Sequence, residues 1–212
     1  MKQIILSGRP VNLPFVLDMV ERAIAAAFFG FFALRLLNAY LETETPIYLL
    51  LLFSECLVVG FLLVRRTTSD VSLRPSDWCV AVAGTTLPLL VTAGGEPLVD
   101  GSISAVFMLI GLGLNIWAKL SLRRSFGIVA ANRGVKTRGP YSFIRHPMYF
   151  GYVVTQVGFL LFNPTLWNLM IYAAAFMLQV LRISAEERTL SRDPQYEAYA
   201  ESVRYRLIPG VF

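Results

Sequence analysis

The chain has 212 residues, 56% of them hydrophobic and only 16% charged. A soluble domain carries about 25% charged residues, so the apolar excess speaks for lipid surroundings and against an ordinary water-soluble core. The net charge of +5 could suit nucleic acid, but the positions of the basic residues decide its meaning. The two cysteines, Cys56 and Cys79, fall inside apolar runs and speak against a disulfide framework or a zinc site.

In chain order, the first 20 residues lack the layout of a cleavable signal, because Asp18 and Glu21 fall where such a segment is apolar or small. About six apolar segments follow, each near the ~20 residues a helix needs to cross a bilayer: 15–40, 46–64, 78–93, 102–120, 147–162 and 165–183. Asn163-Pro164 is a tight turn signal and predicts a hairpin of the last two. The fifth segment is short, so five spans is the next reading. The expected fold is therefore all-α: one polytopic transmembrane helical bundle filling 1–212. Residues 1–120 supply the N-terminal helices, and 121–212 form a catalytic half with a cytoplasmic cofactor pocket.

The loops alternate in charge. Glu42–Thr45, Gly94–Gly101 and Asn163-Pro164 carry no Lys or Arg. Arg65, Arg66 and Arg74 fall in one alternate loop, Lys119, Arg123, Arg124, Arg133, Lys136, Arg138 and Arg145 in or beside the next, and Arg188, Arg192, Arg204 and Arg206 in the tail. The positive-inside rule then puts both termini in the cytoplasm, and a bacterial-type inner membrane is expected. The same rule and anionic headgroups explain the basic balance without nucleic acid. Within the apolar segments, Arg35, Asn38, Glu55 and Asn115 are costly at depth. Arg35 and Glu55 are expected to pair across the first two helices; the sharper alternative is that these polar residues line a cavity for a lipid substrate. Gly111-x-Gly113 has no preceding strand, so it predicts close helix packing and not a dinucleotide loop.

Chemistry concentrates in two stretches. In Arg145-His146-Pro147-Met148-Tyr149, Pro147 suits the first turn of a helix. Arg145 and the lone His146 then sit at its positive end, beside free N–H groups that can hold a carboxylate. Tyr149 shares a helical face with His146, and Tyr141 precedes it in the loop. The bland alternative is an interfacial girdle of tyrosine and arginine. In Arg182-Ile183-Ser184-Ala185-Glu186-Glu187, Arg182 and Glu186 are four apart and are expected to pair, while Glu187 is expected to point to water. The Asn163-Pro164 turn returns this stretch to the mouth that holds Arg145 and His146.

These residues carry a resemblance. Gly139-x-Tyr141, Arg145-His146-Pro147-x-Tyr149-x-Gly151, Asn163-Pro164, Arg182-x-x-x-Glu186-Glu187, Tyr196-x-x-Tyr199 and Arg206-Leu207-Ile208-Pro209 make the second half similar to the isoprenylcysteine carboxyl methyltransferase family, which takes in bacterial phospholipid N-methyltransferases. The resemblance implies S-adenosylmethionine as cofactor. It would be bound through Arg133, Val135, Lys136, Tyr141, His146, Pro147, Met148, Tyr149, Glu186 and Glu187. It implies Arg182, Glu186 and Arg145 as catalytic residues, with Arg182 facing the substrate. The family commonly has a histidine where this chain has Arg133, which shifts the expected contacts there to the backbone of Val135 and Lys136.

The implied reaction is methyl transfer to a lipophilic acceptor at the cytoplasmic face, either an isoprenylcysteine-like carboxylate or another membrane amphiphile. A carboxylate needs no general base and can be oriented by Arg182. An amine, as in phosphatidylethanolamine, would need Glu186, Glu187 or His146 to take a proton. The spacing of His, Cys and carboxylates suggests no metal. Expected partners are a prenylated or other lipophilic molecule and membrane lipid, with the oligomeric state left open. Two other classes compete: a membrane reductase resembling the sterol C14-reductase group, with Arg133, Lys136 and Arg138 on the NADPH 2′-phosphate, and a non-enzymatic lipid-binding protein.

Overall fold

Helices built from apolar residues account for most of the chain in a computed structural model, which describes residues 3–6, 9–44, 47–68, 70–208 and 210–211. Thr45 and Pro46 of the first uncharged turn, and Pro209 of the closing motif, lie outside these described residues. Strands β1 (Gln3–Leu6) and β2 (Arg9–Asn12) form an antiparallel hairpin ahead of the helices. Helix α1 (Leu13–Thr43) has 31 residues, about 46 Å at 1.5 Å per residue. It packs along α2 (Ile47–Val64). Helix α3 (Pro75–Thr86) starts on a proline and gives way to a 3₁₀ turn at Leu87–Leu90. Helices α4 (Gly101–Leu122), α5 (Pro147–Phe162), α6 (Leu166–Leu190) and α7 (Pro194–Ser202) follow. Side-chain caps fix three of their starts. Asp100 accepts from Ser102 N (2.8 Å), Thr165 from Asn168 N (3.1 Å) and Asp193 from Gln195 N (2.9 Å).

Among the described residues, three helical stretches are long and apolar enough to cross a bilayer, Leu13–Glu42, Gly101–Ser125 and Leu166–Leu190. Leu51–Val64 and Pro147–Phe162 are shorter apolar helices. The β1–β2 hairpin departs from the all-α expectation, and the third expected span departs furthest from the sequence reading. Its α-helix has 12 residues, about 18 Å, because Pro88 removes a backbone donor and the helix tightens into the 3₁₀ turn. Outward faces stay apolar: Ile24 of α1, Ile110 of α4 and Met177 of α6 are all exposed. A soluble fold would bury such residues; lipid tails accept them.

Helices α4 and α5 touch backbone to backbone. A Cβ on Gly111 would lie 2.4 Å from Thr155 Oγ1 and 2.6 Å from Gly151 O, and one on Gly151 would lie 2.7 Å from Gly111 O. This is the close packing expected of small residues in spanning helices. Gly113 takes no part, with nothing near the place of its Cβ.

At one end of the bundle, Asn168 Nδ2 donates to Thr92 O (2.8 Å) and Asn163 O (2.9 Å), and Gly94 N donates to Asn163 Oδ1 (3.0 Å). The α5–α6 turn and the loop before α4 are thereby stitched together. At the other end, three basic stretches meet. Arg66 N donates to Arg124 O (2.8 Å), Ser72 N to Ala130 O (2.9 Å), and Asn132 Nδ2 to Asp193 Oδ2 (2.8 Å). The ends of α2, α4 and α6 and the start of α5 therefore share one polar cap.

The pair expected between Arg35 and Glu55 is not formed. Arg35 is exposed, and buried Oε2 of Glu55 has no hydrogen-bond partner among the described residues. Lys119, fully buried, donates instead to Ser54 Oγ (2.8 Å). Asn115 Nδ2 donates to Met148 O (3.2 Å), tying α4 to the first turn of α5.

Candidate active site

The polar cap is organised around the start of α5. Pro147 opens that helix, where its missing N–H costs nothing. Just upstream, Arg145 N donates to Tyr205 O (2.9 Å) and His146 N to Arg206 O (2.8 Å). Residues 203–208 thus run alongside as a strap. Leu207 buries its side chain completely against Tyr149 and Ile183.

Glu187 is the hub behind this wall. Sequence reasoning pointed it to water, yet it is only 8% exposed. Its carboxylate receives Arg145 Nη1 (3.1 Å), Arg206 Nε (2.6 Å) and the Tyr196 hydroxyl (3.3 Å), and His146 Nε2 lies 3.2 Å away. Four cationic or donor groups from three segments over-compensate its desolvation, and this is what turns it inward. Glu187 and Pro147 support the cleft from behind and do not line it.

Glu186, one residue earlier, faces the cleft. It accepts from the Tyr149 hydroxyl, and its Oε2 lies 3.7 Å from His146 Nδ1. The expected ion pair of Arg182 with Glu186 is replaced by a sandwich. Tyr149 stands between them, with the Arg182 Cζ 5.2 Å from the centre of its ring. Such stacking suits a guanidinium on a buried aromatic face. Arg182 Nη2 donates to Ile128 O (3.0 Å).

The cleft in front holds about 750 Å³ of space, part of it open solvent. Of the residues assigned from sequence, Arg133, Val135, Lys136, Tyr141, Arg145, His146, Met148, Tyr149 and Glu186 all line it. Tyr196 and Tyr199 complete an aromatic wall, with Tyr199 donating to Tyr141 O (2.7 Å). Burial first, then the nearby Glu186, Tyr199 and Tyr152, push the Tyr141 hydroxyl well above the usual range, so it stays protonated. Burial likewise raises Tyr199.

Arg182 lines a different cavity of about 820 Å³, walled by Phe28, Phe29 and Phe32 of α1 and by Tyr152 of α5. Gly127 and Met148 border both spaces. Thus one side of the site is aromatic and polar, the other phenylalanine-rich, with Tyr149 and Arg182 back to back at the divide.

The segment between the two cavities is held by residues that sequence reasoning missed. Glu21 Oε1 accepts from the backbone N–H of Ile128 (2.9 Å) and Val129 (3.0 Å). Its Oε2 pairs with Arg65 (3.0 Å) and Arg133 (3.3 Å), while Asp18 Oδ1 pairs with Arg65 (2.9 Å) and Arg133 (2.8 Å). All four side chains are buried. The signal was present: Asp18 and Glu21 are three apart on one face of an apolar helix, and buried acids require partners. Arg133 therefore spends its guanidinium on this cluster, where burial and the neighbouring Arg65 push its pKa down against Glu21 and Asp18. A nucleotide 2′-phosphate would have to break those pairs to use Arg133, which leaves Lys136 and Arg138 of the three residues the NADPH reading needs.

Residues 104–192 match the model of the isoprenylcysteine carboxyl methyltransferase (ICMT) family. No curated protein matches the chain. A solved structure of the eukaryotic intramembrane Ras methyltransferase ICMT without a monobody is similar, at 21% identity over 89% of this chain and 76% of its own. The TM-score is 0.48, too loose a likeness to argue from.

Proposed function

We infer that the chain, whose residues 104–192 match the model of the isoprenylcysteine carboxyl methyltransferase family, is a membrane methyltransferase joining S-adenosylmethionine to a lipophilic acceptor at the cytoplasmic face. The observation that carries this reading is the pair of cavities meeting at Gly127 and Met148. One suits a polar, cationic cofactor and the other an apolar chain.

The cleft residues fit such a cofactor on chemistry of their own. Arg145 lines the cleft beside the N-terminal turn of α5, where positive charge and free N–H groups suit a carboxylate. Tyr141, Tyr149, Tyr196 and Tyr199 offer ring faces to a sulfonium, and Glu186 can accept from an ammonium or ribose hydroxyl. When bound, S-adenosylmethionine supplies a methyl group on a cationic sulfur. Val135 and Lys136 border the cleft by a loop whose backbone can contribute donors. The side chains keep the cleft poor in water and aim the reacting partners in line across the Gly127–Met148 border. On the other side Arg182, fixed by Ile128 O and the Tyr149 ring, is placed to orient an acceptor carboxylate through two parallel N–H bonds. A carboxylate needs no base. For an amine acceptor, Glu186 of the cleft lining takes the proton.

The cytoplasmic assignment is supported by the gathering of the basic stretches at the cleft end. The test is transfer of a tritiated methyl group by the purified protein to an S-farnesylcysteine derivative and to dioleoylphosphatidylethanolamine, with calorimetric titration of S-adenosylmethionine and NADPH in detergent. Transfer to either lipid, with affinity for S-adenosylmethionine alone, is expected. Affinity for NADPH alone, or for neither cofactor, would sink the reading.

A further inference from the structure

The phenylalanine-walled cavity contains polar atoms that the reaction outlined above does not use. Gln179 of α6 is only 2% exposed, and its Oε1 has no hydrogen-bond partner among the described residues. Glu55 of α2 lines the same cavity, and its buried Oε2 likewise has no partner there. Lys119 is near enough to act on Glu55 electrostatically, yet its Nζ is committed to Ser54 Oγ at 2.8 Å. Glu55 and Gln179 thus line one largely apolar space from two different helices, and each keeps a buried oxygen without a partner in a membrane-spanning stretch, where an unpartnered acceptor is expensive. A purely hydrocarbon occupant would leave both unsatisfied. Arg182 lines the same chamber and donates to Ile128 O (3.0 Å), with no bond to either oxygen among the described residues, so an occupant that carries a donor can satisfy them.

We propose that Glu55 and Gln179 form a recognition subsite for a hydrogen-bond-donating head group, hydroxyl or ammonium, on the amphiphile that fills this chamber. The proposal rests on reading the cavity as the acceptor chamber. It adds a second polar point on the acceptor, apart from the atom that receives the methyl group. Chains that carry no donor then bind less well, although they fill the same apolar volume. An ammonium engages the Glu55 carboxylate by charge as well as by hydrogen bond, whereas a hydroxyl needs only the two oxygens.

The test uses the full chain in a neutral maltoside detergent and four amphiphiles of equal length: hexadecan-1-ol, hexadecylamine, hexadecanoate and methyl hexadecanoate. Affinities are read from ligand-dependent thermal unfolding. The alcohol and the amine are expected to bind about 3–10-fold tighter than the methyl ester, the worth of a net hydrogen bond. Glu55→Ala combined with Gln179→Met should bring that ratio to one. Glu55→Gln keeps an acceptor oxygen, so it should retain the alcohol's margin and lose the extra margin of the amine. Titration with S-adenosylmethionine shows that each variant is folded. No margin over the ester in the wild-type protein, or a margin that survives the double substitution, overturns the proposal. If that margin fails while hexadecanoate still binds and Arg182→Ala abolishes its binding, only the subsite falls. If none of the four binds, the acceptor chamber falls with it.

Discussion

Removing one carboxylate on α1 should loosen the partition between the two cavities. In Glu21→Ala, the N–H groups of Ile128 and Val129 lose acceptors at 2.9 and 3.0 Å, and Arg65 and Arg133 keep only Asp18. An orphaned buried donor costs about 1–3 kcal/mol, and breaking a buried pair about 3–5 kcal/mol. The two effects share one side chain and do not simply add, so a loss of about 4 kcal/mol is expected. At roughly 2–4 °C per kcal/mol for a chain of this size, the melting temperature in detergent should fall by about 8–16 °C. Glu21→Gln keeps a carbonyl for the two N–H groups and should lose less. S-adenosylmethionine affinity, measured by calorimetry below the transition, should fall in both variants, because Gly127 and Val129 of that segment line the cleft. A melting temperature of Glu21→Ala within about 2 °C of wild type would refute the reasoning.

Four further substitutions have expected outcomes. Gly111→Ala drives a Cβ to 2.4 Å from Thr155 Oγ1 and should cost at least the ~1–3 kcal/mol of overpacking. Gly113→Ala meets nothing and should be neutral or slightly stabilising in thermal unfolding. Glu187→Ala uncouples Arg145, His146, Tyr196 and Arg206, and should raise protease sensitivity of the strap at 203–206 as well as weaken cofactor binding; an unchanged cleavage pattern would count against the hub. Asp77 is paired with Arg188 at 2.7 Å. Burial pushes its carboxyl up, but hydrogen bonds from Ser72 and Arg188 and the charges of Arg188 and Arg74 outweigh this and hold it below the ordinary 3.8. Its stabilising contribution is therefore full above pH 3.8 and is lost as pH falls through the lower folded value. Asp77→Asn should melt earlier than wild type at neutral pH, with the gap closing only under strongly acidic conditions.

What could be read from the chain depended on how local each signal was. The proline at 147, the turn at Asn163-Pro164 and the 20-residue apolar runs act within a few residues, and the helices start and stop accordingly. The meeting of Tyr149 with Glu186 was legible because a hairpin constrains where the chain returns. The third span failed because hydropathy counts Leu87–Leu90 as apolar without registering the donor that Pro88 lacks. Partners chosen across the fold were hidden. Spacing puts Arg182 and Glu186 on one helix face, but it does not reveal that a tyrosine from another helix slides between them. Nor does it reveal that Glu187 is turned inward by cations on two other segments. Asp18 and Glu21 were noticed only as charges out of place in a signal segment, whereas their misfit with the surrounding lipid was the clue to their role.

The glycine seam of α4 and α5 bears on how the protein can move. Two backbones in direct touch, keyed by Gly111 into Gly151 and Thr155, cannot slip past each other by even one residue without collision. Those helices must shift as a single stiff beam, carrying Met148 and Asn115 with them. Any widening that admits a long lipid tail then falls to the phenylalanine-faced helices opposite, where side-chain rotation, not main-chain displacement, can make room.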